Sequence, residues 1–138
     1  MSKLVCRCGY SVVDQTDFLP HKAEVLSDQD SERIWDAAAD AIADFFAQNG
    51  DDARRTWTTS HLHTRGGADI DASSVVYQIM KRGPHRLGRT LYECSACGRL
   101  WLQARPGENR WVSYSPDEPG ERGVLQQRIS HRDTEAQR

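Results

Sequence analysis

The sequence predicts an α+β protein in which β-rich segments near both ends of the chain flank a helical insertion. Three observations lead to this prediction. Runs rich in β-branched and aromatic residues lie at 3–13 and 90–114, as expected for short strands. Helical periodicity begins near residue 30. Four cysteines form two pairs that are separated by about eighty residues.

The composition is that of one globular domain with a thin core. The chain has 138 residues, of which 38% are hydrophobic and 28% are charged. Folding at this length buries roughly two thirds of the surface that the unfolded chain exposes. No apolar run approaches the roughly 18 residues that a membrane span requires, and the first residues lack the apolar stretch of a secretory signal. We therefore expect a cytoplasmic protein without membrane contact, whose cysteines stay reduced.

A long helix is predicted from about Asp30 to Gln48. Ser27 and Asp28 are suitable N-cap residues, and Asn49 with Gly50 is a usual C-terminal stop. One face of this segment is apolar at helical spacing, which is typical of a helix that packs on a core. The positions on that face are Ile34, Ala38, Ala41, Ile42 and Phe45, with Trp35 and Phe46 at its edge.

The segment from 51 to 82 is harder to interpret. Thr56, Trp57 and Thr58 are compatible with a short strand. A second helix is predicted from Ala72 to Arg82. A strand over part of this range is the alternative, because valine and isoleucine suit both structures.

The predicted organisation is a single domain over 1–115 with a helical insertion at about 27–83. The polar segment 14–26 contains Pro20 and is predicted to be a loop. Residues 116–138 have little apolar content and are predicted to form a flexible C-terminal tail.

The four cysteines have the spacing of metal ligands. Cys94 and Cys97 are separated by two residues and are followed by Gly98, which suits a tight turn. Cys6 and Cys8 lie two apart, so on a strand both side chains point to the same face. Four thiolates complete a tetrahedral site and leave no open position for catalysis. The sequence therefore predicts one structural Zn²⁺ and no enzymatic activity.

The strand, cysteine turn, glycine and strand at 4–13 and 91–103 resemble the zinc-ribbon (rubredoxin-like) family. The resemblance implies two β knuckles on one Zn²⁺, with a helical insertion of about 80 residues between them. The first knuckle has one residue between its cysteines, where the family usually has two. The combination of Cys-x-Cys with Cys-x-x-Cys also resembles the redox-regulated bacterial heat-shock chaperone. A redox-switch zinc protein is therefore one alternative.

The first predicted helix carries an acid at every fourth position, opposite its apolar face. Like charges at this spacing destabilise a helix by about 0.2–0.5 kcal/mol per pair, so the pattern suggests contact with a basic partner. An ordinary solvated face is the other interpretation. Charge is also unevenly distributed along the whole chain. Residues 1–52 carry a net charge of −7, and residues 53–138 carry +5. The acids are Glu32, Asp36, Asp40 and Asp44.

We expect a non-catalytic protein-binding module. The segment 92–101, taken with Cys-Arg-Cys-Gly at 6–9, resembles small bacterial proteins that look like immunity partners of secreted toxins. This resemblance implies an inhibitor that covers the basic site of a toxin. A nucleic-acid-binding ribbon is the alternative, with Trp101, Trp111 and Tyr114 as stacking residues among arginines, although the acidic half would repel phosphates.

Two histidines, His61 and His63, have the spacing of two metal ligands on a strand. The sequence around them offers no third metal ligand at a suitable spacing. A polar loop before Gly66 and Gly67 is therefore the preferred interpretation.

Overall fold

The computed structural model describes residues 2–62 and 71–126, and it confirms the α+β class. These residues form three helices and two small antiparallel sheets. The chain divides into two compact units. The β unit comprises the chain up to Val25 and from Arg89 onward, and the helical unit is Leu26–Gly88.

The β unit contains two antiparallel sheets whose strands pair in chain order. The small sheet is a hairpin of β1 and β2, and the larger sheet has the order β3-β4-β5-β6. Val25 pairs with Arg89, so the chain leaves and re-enters the sheet at neighbouring positions. The strands are β1 (Ser2–Val5), β2 (Ser11–Asp14), β3 (Lys22–Val25), β4 (Arg89–Glu93), β5 (Leu100–Gln103) and β6 (Trp111–Tyr114).

Strand β3 corrects the prediction of a loop over residues 14–26. Its four residues alternate between exposed and half-buried side chains, as expected at the edge of a sheet. The partner strand β4 lies more than sixty residues further along the chain. A four-residue edge strand with so distant a partner gives only a weak local signal.

The helical unit consists of α1 (Asp28–Ala47), α2 (Asp51–Leu62) and α3 (Ala72–Leu87). The predicted first helix is confirmed, and the Ser27 side chain caps it by accepting from the N–H of Asp30. The helix predicted over residues 72–82 is also confirmed, with the Asp71 side chain as cap. None of the described helices is long and apolar enough to cross a membrane.

Residues 56–58, which are compatible with a short strand by sequence, lie inside α2. The hydroxyl groups of Thr56 and Thr58 donate to the carbonyl groups of Asp52 and Arg54, four residues earlier. These bonds satisfy the hydroxyls within the helix. Burial of Trp57 against the other helices then outweighs the modest strand preference of the threonines.

Helix α3 continues through Gly83 and Pro84 to Leu87, beyond the predicted end at Arg82. Gly83 approaches the side chain of Ile34 on α1 so closely that an added Cβ would collide with it. The close packing that glycine permits here stabilises the longer helix.

Each unit has its own hydrophobic core. The core of the helical unit joins all three helices around Ala38, Phe45, Trp57, Val75 and Ile79. The core of the β unit joins the two sheets around Cys6, Val12, Tyr92 and Cys94. The cysteines are therefore part of the packing of the β unit.

Candidate metal centre

The two cysteine pairs meet in the β unit. Cys6 follows β1 and Cys8 lies in the β1–β2 turn, while Cys94 follows β4 and Cys97 lies in the β4–β5 turn. Their four Sγ atoms all lie within 4.8 Å of one another. Cys6 Sγ is 3.7 Å from Cys97 Sγ, and Cys8 Sγ is 3.6 Å from Cys94 Sγ. The predicted set of four ligands is thus brought together.

The distances suit a single tetrahedral metal ion. A regular tetrahedron with Zn–S bonds of about 2.3 Å has sulfur atoms about 3.8 Å apart. A disulfide would need about 2.05 Å, and all four cysteines are free thiols. Cys6 and Cys94 are 2% and 0% exposed, whereas Cys8 is exposed. The site therefore lies at the edge of the core, with one ligand facing solvent.

The two knuckles close in the same way despite their different lengths. In the first, the N–H of Cys6 donates to the carbonyl of Tyr10, and that of Gly9 donates to the carbonyl of Cys6. In the second, the N–H of Cys94 bonds the carbonyl of Arg99, and that of Gly98 bonds the carbonyl of Cys94. Both glycines have positive φ, at 90° and 72°. A glycine at this position lets each turn bring its two thiols to the same side.

Burial and neighbouring N–H groups shift the ionisation of the cysteine thiols. The pKa of Cys6 is lowered to about 6: burial opposes ionisation, but the N–H of Cys8, the Trp101 side chain and neighbouring thiols outweigh it. The buried Trp101 Nε1 has no hydrogen-bond partner in the described part of the chain. Burial raises the pKa of Cys94 to about 12. Since metal binding requires thiolates, binding would release protons from the site.

A buried carboxylate beside the second knuckle fixes a downstream segment. Glu93 is buried and accepts hydrogen bonds from the backbone N–H groups of Gly123, Val124 and Leu125. The carbonyl of Glu121 lies so close to Gly98 that the knuckle has no room for a Cβ there. Residues 121–125 therefore cover the second knuckle.

Glu93 was not among the predicted site residues, and residues 121–125 belong to the segment 116–138 that is predicted to be a flexible tail. The available signal was an acid that immediately precedes a predicted ligand, together with Gly120 and Gly123 downstream. The rest of the predicted tail, residues 127–138, lies outside the described part of the chain.

The acidic ladder on α1 (Glu32, Asp36, Asp40 and Asp44) is exposed at all four positions. Successive members are displaced by about 40° around the helix, because four residues turn it by 400°. The last member consequently borders α2, where Asp44 accepts a hydrogen bond from the indole N–H of Trp57. The ladder therefore combines three outward acids with one that has an intramolecular contact.

His61 lies in α2, so the predicted loop does not hold at this position. Its ring stacks on that of Trp57 with centroids 4.3 Å apart. Its Nδ1 is 2.9 Å from the Trp57 carbonyl oxygen. The other member of the predicted pair, His63, lies outside the described residues.

The three aromatic residues considered for base stacking have different environments. Trp101 and Trp111 pack against the core of the β unit, and the ring of Trp111 contacts that of Tyr92 at a centroid distance of 5.2 Å. Tyr114 is exposed. Two of the three rings therefore contribute to the packing of the β unit.

The chain belongs to the family described as a domain of unknown function, DUF8617, whose model matches residues 2–118. The matched range includes both cysteine pairs and the whole helical unit. Comparison with curated proteins and with solved structures found no match.

Proposed function

We propose that the β unit is a zinc ribbon in which Cys6, Cys8, Cys94 and Cys97 bind one structural Zn²⁺. The sulfur separations near those of a tetrahedral Zn²⁺ site carry this proposal. The position of two of the ligands within the core supports a structural role. An ion held by four thiolates keeps no position for a substrate, so its contribution is to the free energy of folding.

The function proposed for the whole chain is that of a non-catalytic protein-binding module. The zinc-stabilised β unit carries the helical unit as an insertion, and α1 presents exposed acids at Glu32, Asp36 and Asp40. A row of carboxylates suits a basic protein surface, where complementary charge speeds association and excludes other partners. A secreted toxin that the module inhibits is the specific case that the sequence resemblance suggests.

A charge-reversal experiment tests this proposal. The variant carries Glu32→Lys, Asp36→Lys and Asp40→Lys and keeps Asp44, whose side chain contacts Trp57. A control variant reverses three exposed acids of the β unit, so that the two variants have the same net charge. The control substitutions are Asp17→Lys, Asp117→Lys and Glu118→Lys.

Proteins captured from the native host by the unmodified chain are compared with those captured by each variant, using quantitative mass spectrometry. The proposal predicts a basic protein that is retained by the control, lost by the ladder variant and weakened by salt. Equal capture by all three baits would overturn it. Capture of nucleic acid that increases with the ladder variant would favour the nucleic-acid-binding alternative instead.

A further inference from the structure

Helix α1 carries a second apolar stripe beside the one that forms the core. Its positions are separated by four, three and four residues, the spacing of a seam between two helices. The two large aromatic residues of this stripe are about half exposed, at 47% for Trp35 and 51% for Phe46. The stripe consists of Trp35, Ala39, Ile42 and Phe46, and Ile42 at its inner edge also packs against the core.

This stripe points away from α2. The flank of α1 that faces α2 is marked by Asp44, which accepts from Trp57. Phe46 follows two residues later, about 200° around the helix. On α3 the corresponding flank is marked by Arg82, which donates to the carbonyl of His61. Met80 precedes it by two residues and is likewise turned away from α2.

Exposed apolar residues of both helices lie on the side that is turned away from α2. Ile34 near the start of α1 contacts Gly83 near the end of α3, so the helices run antiparallel. The α1–α3 face contains Trp35 and Phe46 from α1 and Met80, 45% exposed, from α3. Three large apolar side chains about half exposed on one side of a helix pair are candidates for an interaction surface.

The charges of the two helices indicate what covers the face. Helix α1 contains six acids and one arginine, whereas α3 contains no acid and four basic residues, of which Arg82 contacts α2 and the other three are Lys81, His85 and Arg86. A partner that suits both helices must therefore present a basic helix to α1 and an acidic helix to α3. A second copy of this chain does so when α1 of each copy lies on α3 of the other.

We propose that the α1–α3 face mediates a symmetric homodimer whose two-fold axis runs parallel to the helices. This axis places α1 against α3 of the second copy, where opposite charges meet at the rim. A two-fold axis across the helices would instead place the two acidic α1 helices against each other. The dimer does not depend on the function proposed above.

The test is the oligomeric state of the full chain loaded with zinc, measured by sedimentation equilibrium up to about 100 μM, a range that detects dissociation constants of typical weak dimers. The proposal predicts a dimer. Phe46→Glu and Met80→Glu should each weaken it by at least about tenfold, because a charge would be buried in the seam. Tyr10→Glu is the control, since Tyr10 is an equally exposed aromatic residue of the β unit, at 45%.

A charge swap tests the orientation. Glu32 precedes Trp35 by one turn at the rim of α1, and Lys81 is the basic residue next to Met80. Glu32→Lys and Lys81→Glu should each weaken the dimer, and the double variant should recover its affinity.

A monomer at every concentration would overturn the proposal. So would a dimer that both glutamate variants leave unchanged, provided that circular dichroism shows their fold intact. A double variant weaker than either single charge variant would overturn the parallel axis.

Discussion

The indole N–H of Trp57 donates to Oδ2 of Asp44 at 2.5 Å, joining α2 to the acidic ladder of α1. Trp57 is buried in the core of the helical unit, between Phe45 and the ring of His61. An acid that the sequence groups with three outward carboxylates therefore also serves the packing of the unit. The four ladder acids look alike in the sequence, but only Asp44 is expected to affect stability through this bond.

Replacing Asp44 by Ala should lower the free energy of unfolding by about 1–3 kcal/mol, because the buried indole N–H would lose its acceptor. Asp40→Ala is the matched control and should stay within about 0.5 kcal/mol of the unmodified protein. Urea denaturation followed by tryptophan fluorescence measures both. Identical midpoints for the two variants would show that the bond contributes nothing to stability.

Metal analysis of the purified protein should return one zinc per chain. Cys94→Ser should abolish this content, and His61→Ala should leave it unchanged, since His61 lies in the helical unit. A content well below one equivalent that does not respond to Cys94→Ser would contradict the assignment.

Removing zinc with a chelator should unfold the β unit, because zinc in such sites contributes roughly 10–16 kcal/mol in small peptides. The helical unit has a separate core, so most of the ellipticity at 222 nm should remain. Near-ultraviolet circular dichroism should report the loss of the packing around Trp101 and Trp111. Simultaneous loss of both signals would show instead that the helical unit depends on the β unit.

Deleting residues 118–138 should destabilise the β unit, because buried Glu93 would lose its three backbone donors. The cost should fall when the deletion is combined with Glu93→Leu, which removes the buried charge. Thermal unfolding of the four chains in this cycle measures the coupling. Purely additive effects would indicate that Glu93 does not hold the segment.

The stability of the β unit should depend on pH through Asp14 and Tyr92, whose side chains are hydrogen-bonded at 2.5 Å. Burial opposes ionisation of Asp14, but hydrogen bonds from Lys22 and Tyr92 outweigh it and lower its pKa. This contribution is present above the unfolded pKa of about 3.9 and is lost as pH falls through the folded pKa. Comparison with Asp14→Asn separates it from acid release of zinc.

In the alkaline range, Tyr92 makes the stability of the β unit decrease as pH rises. Burial and the neighbouring Asp14 carboxylate raise the pKa of Tyr92 above its ordinary range. Its contribution is full below the unfolded pKa of about 10 and declines as pH rises above it. Tyr92→Phe should flatten the pH dependence of unfolding in this range, and an unchanged slope would refute the assignment.

Several features could be predicted from the sequence because their signals are local. The paired cysteines, each followed by glycine, identified the ligands that meet within 4.8 Å. The periodicity of Ile34, Ala38 and Phe45 predicted the buried face of α1. Spacing alone determines which side chains share a face of a helix or a turn.

Other features depend on residues that are distant in the sequence. Strand β3 forms because β4 returns beside it after the helical insertion. Trp57 joins a helix because α1 and α3 provide a core for it, and Glu93 accepts hydrogen bonds from backbone groups about thirty residues downstream. The sequence determined the ligands, the main helix and the α+β class, since each rests on neighbouring residues. Tertiary structure decided the edge strand, the helix at Trp57 and the burial of Glu93, because burial and hydrogen bonding between distant segments outweigh weak local preferences.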